Sequence, residues 1–199
     1  LCTRQAYGKF NPSAGHHLAD PVIKEKTSYP IRKFSVLERC LREADSSRIG
    51  LSNRHLSFFE MFAFQVYGDY KKLPKPDTTK LFFEILTKLL NLKKERVKKT
   101  TGRRNLFIAR IPGAPVGTGF EVYYQTIDGK YIEIGSQVDY HYIYWGSLNM
   151  YPTINGTLGN GLGLERLLMI LEDKTSIYDI SLIRPLKEII IQVLGDGTE

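Results

Sequence analysis

Gly159-Asn160-Gly161-Leu162-Gly163-Leu164-Glu165-Arg166 combines residue types suited to holding an anion. Its alternating glycines let backbone approach a ligand that a Cβ would hold off. Leu164, Leu167, Leu168 and Leu171 follow at i, i+3, i+4 and i+7, so a helix with one buried face is expected to start there. The opening turn of such a helix presents amides and the positive end of its dipole. Arg166, in that turn, would add a planar guanidinium suited to phosphate or to the face of a base. A tight turn before a core helix, with Arg166 in water, explains the glycines alone more simply. The rest of the chain has to decide.

The elements that would position this stretch point to one mixed domain over residues 1–199. The chain is 42% hydrophobic, enough for a sizeable core. No apolar run approaches the roughly 20 residues of a membrane span. Cys2 and Cys40 make neither a disulfide framework nor a metal-binding spacing, and the histidines are too scattered for zinc. Asn155-Gly156-Thr157 is formally a glycosylation acceptor, but nothing else suggests secretion, so a cytoplasmic setting is expected. Leu1 is not a methionine, so the chain is expected to begin inside a longer one. A formal net charge of +7 leans toward an anionic partner such as a nucleotide or nucleic acid.

Residues 1–30, with several glycines and prolines, read as an irregular N-terminal arm holding at most a short strand. Ile31 to Leu41 should enter the sheet, and Arg42 to Gly50 should form a loop. Phe58 to Tyr67 reads as a strand covered on both faces. Past Pro74 and Pro76, Asp77 can cap a helix whose apolar face is Phe82, Ile85, Leu86 and Leu89. Lys93, Lys94, Arg96, Lys98, Lys99, Arg103 and Arg104 form a basic run best read as a solvated face. Asp128-Gly129 signals a hairpin between Phe120–Tyr124 and Tyr131–Ile134. Pro185 to Leu194 forms a last helix closed by Gly195. Hairpins interrupted by helices, without strict alternation, indicate an α+β fold with a mainly antiparallel sheet.

Three blocks together resemble the active site of a class II aminoacyl-tRNA synthetase, most closely alanyl-tRNA synthetase. The first runs from Arg39-Cys40-Leu41-Arg42 through Arg54-His55-Leu56-Ser57-Phe58-Phe59-Glu60-Met61 to Gly68-Asp69-Tyr70. The second is Gly119-Phe120-Glu121-Val122, and the third is Gly161 to Arg166. Tyr178-Asp179 and Arg184-Pro185-Leu186 extend the match, which covers about Arg39 to Leu186. The resemblance implies a class II antiparallel sheet flanked by helices, binding ATP with Mg²⁺ and an amino acid. An amino-acid carboxylate would attack the α-phosphate and expel pyrophosphate. Arg42 and Arg166 would be catalytic. Arg42 would hold the α-phosphate, and Phe59 would stack on adenine with backbone near Met61 reading its edge. Arg166 would cover the other adenine face or reach the distal phosphates. Arg54, Gly161 and Gly163 would complete the ATP site, and Glu121 and Glu133 would carry Mg²⁺ or fix the ribose. The implied partner is the acceptor end of tRNA. A homodimer is one oligomeric arrangement left open.

The third motif also departs from its family. Where the alanine-specific enzymes carry an aspartate that grips the substrate ammonium, this chain has Gly159. Asp139 is the expected replacement, with Gly135 leaving extra room. The chain therefore resembles either a catalytic-core fragment or a short paralogue. It would activate an amino acid for tRNA or for another acceptor, or keep the nucleotide pocket as a catalytically silent module.

Overall fold

A computed structural model describes residues 13–43, 46–100, 106–108, 112–146 and 149–195. Runs of β-branched and aromatic residues build long strands, as their fit to a pleated surface favours. β1 (Arg32–Leu41) and β2 (Phe58–Asp69) pair across the motif loop, and β5 (Pro115–Gln125) and β6 (Tyr131–Tyr144) pair across Asp128-Gly129. Gly129 takes the positive φ of 79° that such a turn needs. β3 (Val97–Thr100) and β4 (Leu106–Ile108) both pair with β5. The central strand comes last: β7 (Met150–Gly163) inserts between β2 and β6. The result is a 7-stranded sheet, ordered β1-β2-β7-β6-β5-β3 with β4 beside β5, and every pairing is antiparallel.

β7 overturns a sequence expectation. The glycine run forms neither a loop nor a tight turn. Its residues pair on both sides, Gly161 with Ala63 and Ser136, and Gly159 with Gln65 and Val138. None of Gly156, Gly159, Gly161 or Gly163 has a positive φ. Glycine weakens a strand when its neighbours are not counted, so periodicity alone hid this one.

Alternation divides the sheet into two faces. Phe64, Phe120, Val122 and Leu162 point into the main core, against α2 (Lys75–Glu84) and α3 (Leu164–Leu171). Phe82 is fully buried, with its ring 6.0 Å from Phe64 and 6.2 Å from Phe120. α2 runs into a π-helical turn, Ile85–Leu89, which rotates the apolar stripe. Leu86 stays buried while Leu89 turns out to solvent, against expectation. Asp77 lies in the first turn of α2, whose N-cap is Pro74. In α3, Leu167, Met169 and Ile170 are buried and Leu171 is exposed, so the buried stripe lies to one side of the leucine spacing. α4 (Arg184–Leu194) ends at Gly195 as expected, yet its apolar residues are all exposed.

The N-terminal arm is more ordered than its composition suggests. Within it lies α1 (His16–Ile23), which holds Pro21 inside the helix and starts from Gly15 at φ 82°. Tertiary packing overrides the poor local propensity: Ala14, Ala19, Val22 and Ile23 are buried, and α1 lies against β2 and β7. Residues 1–12 fall outside the described residues. Asn155 fastens the next stretch of the arm. Its buried side chain accepts from the Tyr29 amide at 2.8 Å and donates to the carbonyls of Thr27 at 2.8 Å and Glu25 at 3.3 Å. That burial also removes Asn155 as a glycan acceptor. Asn155→Ala should therefore cost roughly 1–3 kcal/mol in urea unfolding, because it strands buried polar groups. A variant as stable as wild type would show that the arm is held elsewhere.

Candidate functional site

The face of the sheet opposite the main core carries little side-chain bulk. Cross-strand register places Met61 and Ala63 of β2, Gly159, Gly161 and Gly163 of β7, Ser136, Val138 and Tyr140 of β6, and Gly117, Gly119 and Glu121 of β5 on this face. A cleft of about 670 Å³ opens above it. Close approach of the strands enforces some of these glycines. A Cβ at Gly119 would strike the Gln137 carbonyl, and one at Gly117 would lie 2.6 Å from the Asp139 carbonyl. A Cβ at Gly163 would meet nothing within 4 Å and would point into open space.

Most of the residues singled out from the sequence line this one cleft. Arg42, Arg54, Phe59, Met61, Glu121, Glu133, Gly135, Gly161, Gly163 and Arg166 all do so. Arg42 follows β1, where its amide donates to the Ser57 carbonyl at 2.8 Å, and its guanidinium lies 5.0 Å from the centroid of the Phe59 ring. Arg166, in the first turn of α3, donates to the Glu133 carbonyl at 3.0 Å and the Arg54 carbonyl at 3.3 Å. These bonds fix the guanidinium over the cleft, and the Glu133 carboxylate stands 3.7 Å away. Glu133 reaches this face through a β-bulge. Tyr123 pairs with Glu133 but Val122 with Gly135, so Ile134 is the extra residue. Glu121 accepts from the Tyr123 hydroxyl at 2.8 Å. Burial, then that bond, push the Tyr123 phenol up to about 12.

Two sequence expectations fall outside this assembly. Asp139 lies on the opposite face, in register with Leu158 and on the same side of β6 as Gln137, which accepts from Thr79 of α2 at 2.7 Å. There it pairs with Lys75 at 2.8 Å and accepts from the Tyr70 hydroxyl at 3.3 Å. Alternation is the reason: Ser136, Val138 and Tyr140 line the cleft, so Asp139 cannot. Its neighbour His141 stacks on Tyr70 with ring centroids 4.1 Å apart, and burial holds the imidazole below its usual range. Gly159 is on the correct face but outside the cleft lining. A Cβ there would sit 3.5 Å from Tyr140 and 3.9 Å from Gln65.

His55 lines the cleft and shares a 2.6 Å hydrogen bond with Ser52 through Nδ1. Ser13, Ser136 and Tyr140 were not singled out, although the alternation of β6 would have found the last two once Glu121 was assigned a face. Among the described residues no group of three or more His, Cys, Asp or Glu could hold a metal. Glu121 and Glu133 remain as two carboxylates on one cleft, a donor set that suits Mg²⁺ shared with phosphate oxygens. Of the basic run, Lys93, Lys94, Lys98 and Lys99 are exposed on and before β3, away from the cleft lining. Arg103 and Arg104 fall outside the described residues. No helix among those residues is long and apolar enough to cross a membrane.

No protein-family model matches the chain. Alanine–tRNA ligases from several bacteria are similar to it over most of its length. That of Thermoanaerobacter sp. (strain X514) is 25% identical across 87% of this chain and 24% of the relative. That of Caldicellulosiruptor saccharolyticus is 26% identical across 83% and 23%, and that of Trichormus variabilis 25% across 88% and 24%. The resemblance carried by the motifs thus extends along the chain, which spans about 24% of the length of these curated relatives.

Glu165 ties the third motif to the second. It is buried, and its carboxylate accepts from the Glu60 amide at 2.8 Å, locking α3 to β2. Burial raises its carboxyl above the ordinary range. A raised carboxyl contributes stability that is complete below its unfolded pKa and is lost as pH rises through the folded value. Glu165→Gln, which keeps an acceptor and removes the charge, should unfold at higher temperature than wild type at pH 7 and flatten the decline from pH 4 to 7. A variant less stable than wild type at pH 7, with the loss shrinking as pH falls toward 4, would show instead that the ionised form holds the strands together.

Proposed function

We propose that the cleft binds ATP and activates an amino acid as its adenylate. The observation that supports this reading is the convergence of Arg42, Arg54, Phe59, Glu121, Glu133 and Arg166 on one side-chain-poor floor. Separate glycine or arginine motifs match by chance. Several from distant parts of the chain meeting in one cleft are far more specific.

Adenylation needs cations around phosphorus and little covalent help from protein. The amino-acid carboxylate attacks the α-phosphorus, the new acyl–phosphate bond forms, and pyrophosphate leaves. Arg42 would hold the α-phosphate and neutralise charge as the bond to pyrophosphate breaks. In the structure it rests over Phe59. Binding would exchange that cation–π contact, about 0.5–1 kcal/mol at an exposed site, for a charge-assisted bond to phosphate. Phe59 would then be free to stack on adenine, with the backbone at Met61 along its edge. Arg166, fixed by two carbonyls, would face the other side of the base or the distal phosphates. Glu121 and Glu133 would hold Mg²⁺, which supplies charge neutralisation at the phosphates when bound.

The names of the relatives favour tRNA as the acceptor for the activated group. A protein or small-molecule acceptor is the alternative. ATP with Mg²⁺ should raise the melting temperature without tRNA. Pyrophosphate exchange surveyed across the amino acids should then identify the substrate. Arg42→Ala should lower exchange turnover by roughly a hundredfold or more with an unchanged urea midpoint. No thermal shift at millimolar ATP would refute nucleotide binding. A shift without exchange for any amino acid would make the cleft a silent nucleotide module.

A further inference from the structure

The basic run takes no part in the cleft lining, and β3 divides it between the two faces of the sheet. β3 lies at the edge, beyond β5. Lys99 pairs with the buried Val122 and reaches toward the core side, its ammonium 4.1 Å from the centroid of the Phe120 ring. Lys98 pairs instead with Tyr123, and Tyr123 with Glu133, which lines the cleft. Directly opposed residues share a face, so of these two lysines it is Lys98 that carries the open face on to the sheet edge.

Tyr131 completes this strip. It lies two residues before Glu133 in β6 and faces the same way. Its ring is 41% exposed, with the Lys98 ammonium 5.4 Å from the centroid. Its carbonyl accepts from the Arg54 guanidinium at 3.3 Å, and Arg54 lines the cleft. A path of ring and cation thus leads from the β3 edge to the nucleotide-side residues Arg54, Glu133 and Arg166. The acidic groups beside it are met by cations: Glu133 stands 3.7 Å from Arg166, and Asp128 pairs with Lys130 at 2.9 Å. Lysines on an edge strand often serve only to discourage pairing with another chain. That role suits Lys98 and Lys99 equally and leaves the exposed ring unexplained. Sheet faces that hold unpaired RNA combine both features, since bases stack on exposed aromatics while cations meet the phosphates.

We propose that the strip formed by Lys98, Tyr131 and Arg54 is a track for the unpaired end of an RNA, with a base stacked on Tyr131 and a phosphate on Lys98. The proposal builds on the adenylation reading and adds where the acceptor strand runs into the cleft. A labelled single-stranded oligoribonucleotide of about eight nucleotides, within the usual span of such surfaces, is titrated into the full chain over a series of salt concentrations. The same strand annealed to its complement, and ATP with Mg²⁺, are titrated in parallel. Wild type should bind the single strand more tightly than the duplex. Tyr131→Ala should lose at least about fivefold in affinity for the single strand, and Tyr131→Phe should keep it. Lys98→Ala should make the salt dependence shallower by about 0.7 in the slope of log K against log salt. Lys99→Ala, on the other face, should leave that slope unchanged. ATP affinity and the urea midpoint should stay at wild-type values in all four variants. Absence of RNA binding, equal effects of Lys98→Ala and Lys99→Ala, or indifference to Tyr131→Ala overturns the track, and ATP binding then keeps the nucleotide site standing. Loss of ATP binding in wild type overturns the adenylation reading, while the same pattern of RNA effects still supports the track.

Discussion

The structure depends on β7 pairing with both β2 and β6 over Thr157–Leu162, where its glycines present no side chain to one face. Leu158, Asn160 and Leu162 turn into the protein, and Gly159, Gly161 and Gly163 leave the other side bare. An antiparallel sheet commonly packs one face on the core and puts polar side chains on the other. Here one face belongs to the core and the other is kept open by the residue type with nothing to fill it. Leu162, only 2% exposed, contributes the burial that holds the strand, so the glycines do not have to.

Everything around the cleft follows from that division. The bulge at Ile134 turns Glu133 to the open face, where it meets Arg166. The helix α3 begins where β7 ends, so the last glycine delivers Arg166 directly over the floor. α1 packs against β2 and β7, and the Ala14 carbonyl just before it accepts from Gln65 of the same face. The polar group of Tyr70, Lys75, Asp139 and His141 sits on the other face as part of the α2 packing. Its chemistry resembles a site, but the sheet lies between it and the cleft.

Much of this was legible from residues. The hairpin at Asp128-Gly129, the aromatic strand β2, the helix after Pro74 and the mixed antiparallel class each have local signals that the structure bears out. The residues that converge on the cleft were legible only because three motifs were read together. What the sequence hid has physical causes. Glycine-rich β7 lacks β-propensity and holds together by pairing with strands far away in the chain. α1 carries a proline and forms only against the sheet. Asp139 was assigned by type and proximity, whereas period-2 alternation and one bulge decide which face a residue sees. Leu89 shows the helical version of the same effect, displaced by a single π-helical turn.

The role of the glycine floor is best measured by calorimetric titration of ATP with Mg²⁺ into wild type and Gly163→Val. A side chain there enters open cleft space and strains nothing, because Gly163 has an extended φ of −80°. If the bare floor seats the nucleotide, the variant keeps its urea midpoint and loses at least about tenfold in ATP affinity, or roughly 1.4 kcal/mol. Equal affinity in the two proteins would contradict the assignment of this cleft as the nucleotide site.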